Sequence, residues 1–241
     1  MTNLLVKKVA ILGSLFALML LLQSCDPFGI RATGDDMTQT FDDINFHGLE
    51  IDMSATVEVH VDSVFKIQVT CEETAMPYVE TKVTNGILEI YFSRSVRDLD
   101  NMKIIVSAPS WDFFELNGSG YIKIPDAISG NLLHVDISGS GNLKAANATF
   151  NNANLEVSGS GDLELAGSAD NLIGNVSGSG EIDCLDFPVK TAKLKVSGSG
   201  KIKATVLEFL DAEISGSGDI EYEGNPLLNV HISGSGNVRK L

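Results

Sequence analysis

Two successive copies of a Ser-Gly-Ser-Gly motif are each followed by a pair of acids two positions apart, Asp162 and Glu164 after one and Glu181 and Asp183 after the next. If the copies stack in register, the four carboxylates form one small rectangle, where like charges cost energy unless they are screened or bridged. Oxygen-rich clusters of this kind suit Ca²⁺. The plainer alternative is a solvated acidic patch relieved by Lys144 and Lys201 on the flanking copies. Other reactive chemistry is thin. His47, His60, His134 and His231 are scattered, and although His231 falls beside Ser233 and above Glu213, serine recurs on every copy and its presence there says little about a triad. A β-helical polysaccharide lyase or hydrolase is the enzymatic alternative, since such enzymes cluster acids with Lys or Arg, but no aromatic lies beside the paired acids to stack a sugar. The expectation is a protein that is not an enzyme. Trp111, Phe113 and Tyr121 around the first copy offer a surface for contacts such as a glycan; the alternative for Trp111 and Phe113 is packing beneath neighbouring strands. Cys71 and Cys184, 113 residues apart and without any CxxC, read as two separately buried thiols, with a single disulfide in an oxidising envelope as the alternative.

The elements that hold these residues follow from the repeats. Ser-Gly-Ser-Gly begins at Ser138, Ser158, Ser177, Ser197, Ser215 and Ser233, with Asn117-Gly118-Ser119-Gly120 as a variant, and fourteen of the 23 glycines lie in these seven copies. Apolar and polar residues alternate through each copy: Leu155, Val157, Gly159, Gly161, Leu163 and Leu165 share one parity, and Glu156, Ser158, Ser160, Asp162 and Glu164 the other. Period two means extended chain with one face buried, so both glycines are expected to point inward and both serines outward. A repeat of 18 to 21 residues suits one coil of a narrow solenoid whose coils stack about 4.8 Å apart. The sequence therefore predicts an all-β fold, a single-stranded parallel and right-handed β-helix of about seven coils over 117–241. Residues 41–116 carry strand-like stretches at Thr56–Val61, Val64–Cys71, Ile87–Phe92 and Met102–Val106 and are expected to cap its first end. Asn85-Gly86 marks a hairpin turn. In stacked register Glu181, Lys201 and Asp219 alternate in charge, as do Asp183, Lys203 and Glu221. At the last coil the edge is either blunted by Arg239 and Lys240 or paired with another chain in a homo-oligomer.

With 17 Lys+Arg against 32 Asp+Glu and a net charge of -15, electrostatic binding to nucleic acid is excluded. Residues 1–24 place Lys7 and Lys8 before an apolar run from Val9 to Leu22, which is the pattern of a secretory signal peptide. Leu22-Gln23-Ser24-Cys25 is similar to a bacterial lipobox, which makes Cys25 the expected lipidation site and the membrane a partner through that anchor. Cleavage before Cys25 leaves 15 basic and 32 acidic residues, a charge of -17. Such a domain is repelled by anionic headgroups, and 25–40 is expected to serve as its tether before a single domain at 41–241. The expected address is the cell envelope, at the outer membrane, on its periplasmic or surface side.

The stretch from Phe41 through Leu88-Glu89-Ile90, the Ser107-Ala108-Pro109-Ser110 segment and the recurring Val-Ser-Gly-Ser-Gly followed by an acid resemble the head GIN domain of autotransporter adhesins. The resemblance spans Phe41 to Leu241. It implies a β-helical envelope protein, often a lipoprotein, that works in adhesion; the stacked outward residues would present their surface to a glycan or another envelope or surface protein. It carries over no catalytic residue.

Overall fold

The computed structural model describes residues 29–241. Its strands are β1 (Ile30–Arg31), β2 (Asp36–Phe41), β3 (Gly48–Ile51), β4 (Thr56–Val61), β5 (Lys66–Glu72), β6 (Val79–Thr84), β7 (Ile87–Phe92), β8 (Val96–Arg97), β9 (Lys103–Ala108) and β10 (Phe113–Gly118). Five long strands follow, β11 (Tyr121–Gly139), β12 (Asn142–Gly159), β13 (Asp162–Gly178), β14 (Glu181–Gly198) and β15 (Lys201–Gly216). The chain closes with β16 (Asp219–Glu223), β17 (Leu227–Gly234) and β18 (Asn237–Lys240). One 3-10 turn at Met76–Tyr78 interrupts the strands. Among the described residues no helix is long and apolar enough to cross a membrane.

From β10 upward every neighbouring pair is parallel and in register, so each long strand is one coil of a β-solenoid. Each coil runs in three straight stretches. In β12, Leu143 and Ala145, then Ala148 and Phe150, then Ala153, Leu155 and Val157 are buried, and the alternation resets at Ala146-Asn147 and at Asn151-Asn152. Short stretches of period two, each with one buried face, are what these residues specify. At the second reset, stacked amides bind coil to coil: Asn151 Nδ2 donates to Asn131 Oδ1 at 2.9 Å, Asn171 Nδ2 to Asn152 Oδ1 at 3.0 Å, and Thr191 Oγ1 to Asn171 Oδ1 at 2.8 Å.

The Ser-Gly-Ser-Gly motif forms the third corner, and here the expectation that both glycines face inward is corrected. Only the second, as at Gly161, is buried; the first is half-exposed. Gly159 has φ 134°, and the first glycine of every copy lies between 122° and 146°. That conformation turns the chain, which strict extension would not. A Cβ on Gly159 would strike the carbonyl oxygen of Gly139 one coil below, so close stacking and positive φ both demand glycine. The backbone ladder continues around the bend, with Ser160 N–H donating to Gly139 O and Ser179 N–H to Gly159 O, both at 2.8 Å. Seven such corners delimit six coils, and further coils without the motif stack below them.

The lower end also differs from a simple cap. β3 stacks in parallel beneath β10, and β4 beneath the start of β11, so 48–61 is itself a coil, turning at Asp52–Ala55 where later coils have the motif. β7 and β9 form another coil below it. The antiparallel strands β6, β5 and β2 then close that end. Asn85 (φ 54°) and Gly86 (φ 81°) make the β6–β7 turn that the Asn-Gly pair predicts. The expected tether is drawn into the fold over its described part: β1 pairs β8, and β2 pairs β5. Thr38 Oγ1 and Thr70 Oγ1 lie 2.8 Å apart across the second pairing.

Cys71 in β5 and Cys184 in β14 are free and buried, as the spacing suggested. Burial, reinforced by Glu72 and Asp36, pushes the Cys71 thiol up to about 11; burial, with Asp183, pushes Cys184 up as well.

Candidate functional site

The first two outward positions after each corner form two continuous ladders. One runs Thr56, Tyr121, Asn142, Asp162, Glu181, Lys201, Asp219, Asn237, and beside it runs Glu58, Lys123, Lys144, Glu164, Asp183, Lys203, Glu221, Arg239. Charges pair along and across them. Lys144 Nζ meets Glu164 Oε1 at 2.6 Å, Lys203 Nζ lies 2.6 Å from Glu181 Oε1 and 3.3 Å from Asp183 Oδ2, and Lys201 Nζ lies 3.3 Å from Glu221 Oε1. Glu221 is buried and also paired with Arg239. Burial alone would raise its pKa, but the hydrogen bonds and charges of Arg239 and Lys201 outweigh it and hold the carboxyl below the ordinary range.

Asp162, Glu164, Glu181 and Asp183 do come together, in a shallow depression of about 350 Å³ that Tyr121, Asn142 and Lys144 help to line. Three of the four are bridged by lysine, with Lys203 in the relieving role expected of Lys201. The oxygens that do gather within 4.8 Å of one another belong to Glu50, Asp52 and Glu89.

Glu50 and Glu89, with Asp52 beside them, belong to an acidic ladder that runs up the adjoining face: Glu89, Glu50, Glu115, Asp136 and Glu156 stack in consecutive coils, followed by Asn175, Lys195, Glu213 and His231. Burial raises the Glu50 pKa, and the charges of Glu115, Asp52 and Glu89 raise it further. Asn117 relieves the row. Its Nδ2 donates to Asp52 Oδ1 at 2.8 Å and to Glu115 Oε1 at 3.0 Å, and at the next corner Ser138 Oγ donates to Asp136 Oδ1 at 3.4 Å. The ladder is hidden in the sequence because β3 is inserted between β7 and β10, so its first three members are not at repeat spacing. At the upper end Lys195 Nζ pairs with Glu213 Oε1 at 2.9 Å, holding that carboxyl below its ordinary range.

The aromatic candidates separate. Trp111 is fully buried, stacks on Phe114 with the tilted ring of Phe46 also against it, and its Nε1 donates to His60 O at 2.8 Å. It is core, which corrects its place among the surface contacts; the link from β9 to β10 that carries it crosses over the β3–β4 coil. Phe113 is half-buried and stacked on His134, ring centres 5.1 Å apart. Tyr121 is half-buried at the head of the charged ladder. The histidines are held apart as the sequence implied: His47 Nδ1 is 2.6 Å from Asp112 Oδ1, His60 Nδ1 is 3.1 Å from Asp126 Oδ2, and His134 Nδ1 is 3.2 Å from Asn154 Nδ2. His231 stacks on Glu213, as its register predicted. Cys25 lies outside the described residues.

A family model described as "Putative auto-transporter adhesin, head GIN domain" matches residues 45–226. The fold is similar to the crystal structure of a putative adhesin from Bacteroides fragilis, with a TM-score of 0.83 at 21% identity over 88% of this chain and 100% of that one. A putative lipid binding protein from Parabacteroides distasonis gives 0.73 at 26% identity, over 88% of this chain and 99% of that one. A putative adhesin from the same species gives 0.72 at 19% over the same shares. No curated protein matches the sequence.

Proposed function

This chain belongs to the head GIN domain family of auto-transporter adhesins, and on that premise we propose that it is a non-enzymatic, lipid-anchored scaffold that displays a repeating acidic surface at the outer membrane. The observation that carries the reading is the register of the outward residues. Six coils present the same backbone positions at a spacing of about 4.8 Å, and over five consecutive coils one ladder offers carboxylates alone. Such a surface suits an extended, repetitive ligand, a glycan or the strand of another envelope protein, contacted over several coils at once. Tyr121 and the half-exposed Phe113, each beside a charged ladder, are the assigned apolar contacts.

Cys25 is the assigned anchor, and two or three acyl chains on it hold the protein firmly, since each buried CH₂ contributes about 0.8 kcal/mol. The acyl group is also where this chain would meet lipid; the solenoid interior is filled by its own side chains. The net negative charge keeps the domain off anionic headgroups. Labelling cells with radioactive palmitate tests the anchor. The parent chain is expected to take up label and sediment with membranes, and Cys25→Ser to lose both. Label and membrane association that survive Cys25→Ser would overturn the anchoring.

A further inference from the structure

β17 is built like the coils below it but is not buried like them. Its Leu228, Val230 and Ile232 stack on Leu210, Ala212 and Ile214. The three below are fully buried, whereas Leu228, Val230 and Ile232 are 47%, 43% and 41% exposed. One edge of β17 pairs with β15, and among the described residues no strand pairs with the other. A row of backbone donors and acceptors and a stripe of core side chains therefore lie open together. A lipid surface would cover the side chains and leave the backbone groups unpaired; a β-strand satisfies both.

We propose that this edge binds a second copy of the chain, β17 pairing antiparallel with β17 of that copy. Antiparallel partners keep facing residues on the same side of the sheet, so a pairing centred on Val230 sets Leu228 against Ile232 of the second copy and continues each core stripe into the other. The outward set is compatible too: Asn229 faces His231 of the second copy, and Leu227 faces Ser233. Charge supports the same occupant. No Asp or Glu follows Glu223 among the 32 of the sequence, so two strongly negative molecules meet at a rung without acidic side chains. Arg239 is already engaged by Glu221, and Lys240 Nζ by Asn225 Oδ1 at 2.6 Å. At the opposite end the edge strand β6 exposes Glu80 and Lys82 and buries Val79, a blunted edge that disfavours head-to-tail growth. The pairing is isologous and closes at two copies. It does not depend on the anchoring proposed above.

Sedimentation equilibrium of the full chain, in detergent density-matched to the buffer, tests this together with Val230→Lys and a Val230→Cys variant treated with a short bismaleimide. The parent is expected to be a dimer, Val230→Lys a monomer with an unchanged unfolding temperature, and Val230→Cys to cross-link to a dimer under conditions where the parent does not. A parent that stays monomeric at its highest soluble concentration, a dimer that persists in Val230→Lys, or growth beyond two copies would overturn the proposal. If Val230→Lys lowers the unfolding temperature, Val230→Cys decides alone: a specific dimer supports the pairing and its absence refutes it.

Discussion

Gly159→Ala strikes the corner on which the coil geometry rests. The backbone there has φ 134°, a region that residues with a side chain enter at a cost of about 1–3 kcal/mol. The new methyl would also press on Gly139 O, a backbone atom one coil below that accepts the Ser160 N–H at 2.8 Å. Moving that oxygen aside weakens a hydrogen bond with a net contribution of about 0.5–1.5 kcal/mol. The two effects together predict a loss of about 2–4 kcal/mol, a large part of the 5–15 kcal/mol or so by which domains are stable. Urea unfolding followed by circular dichroism is the assay, with Ser160→Ala as the control. Ser160 is exposed, and its side chain should matter by less than about 0.5 kcal/mol. Gly159→Ala within that same margin would refute the view that stacked positive-φ glycines hold the corner.

Glu50→Gln should stabilise the domain at pH 7, by about 0.2–1 kcal/mol for removing a like charge from a stacked pair. Because the folded pKa of Glu50 is raised, the parent's penalty grows as pH rises through the carboxylate range, so the gain should vanish below about pH 4; urea midpoints at both pH values check this. Lys203→Met should destabilise by up to about 1 kcal/mol, since it frees Glu181 and Asp183 beside Asp162 and Glu164. Its raised pKa means the full contribution is present at neutral pH and is lost only as pH climbs past the ordinary lysine range, and salt should shrink it. Calorimetric titration with Ca²⁺ should give no saturable heat from the Asp162 patch, whose other carboxylates are bridged by lysine; heat abolished by Asp162→Asn/Glu181→Gln would establish a metal site there.

The register of the charged ladders was legible because every Ser-Gly-Ser-Gly marks the same corner, and counting from it places Asp162, Glu181 and Lys201 in one row. The corner itself was not legible as a corner. Alternation of Val157, Gly159 and Gly161 looks unbroken in one dimension, and only a backbone angle reveals that Gly159 turns the chain. The lower coils escaped for a different reason. Asp52-Met53-Ser54-Ala55 turns the chain at the same corner with neither a glycine nor a positive φ, and β3 stacks on strands distant in sequence, so neither a motif nor a period announces Glu89, Glu50 and Glu115 as neighbours. Residues 30–40 read as part of a polar tether because Asp35, Asp36, Thr38, Gln39 and Thr40 carry little apolar signal; their order comes from edge pairing with β8 and β5. Trp111 was ambiguous by parity alone, since its burial depends on a crossover that no local pattern encodes.

Display of the acidic solenoid at the outer membrane is the central proposal, and exposure to protease on intact cells tests its cell-surface form most directly. Added protease is expected to remove the domain from whole cells while a periplasmic marker stays intact. Protection of the domain until the outer membrane is permeabilised would contradict it.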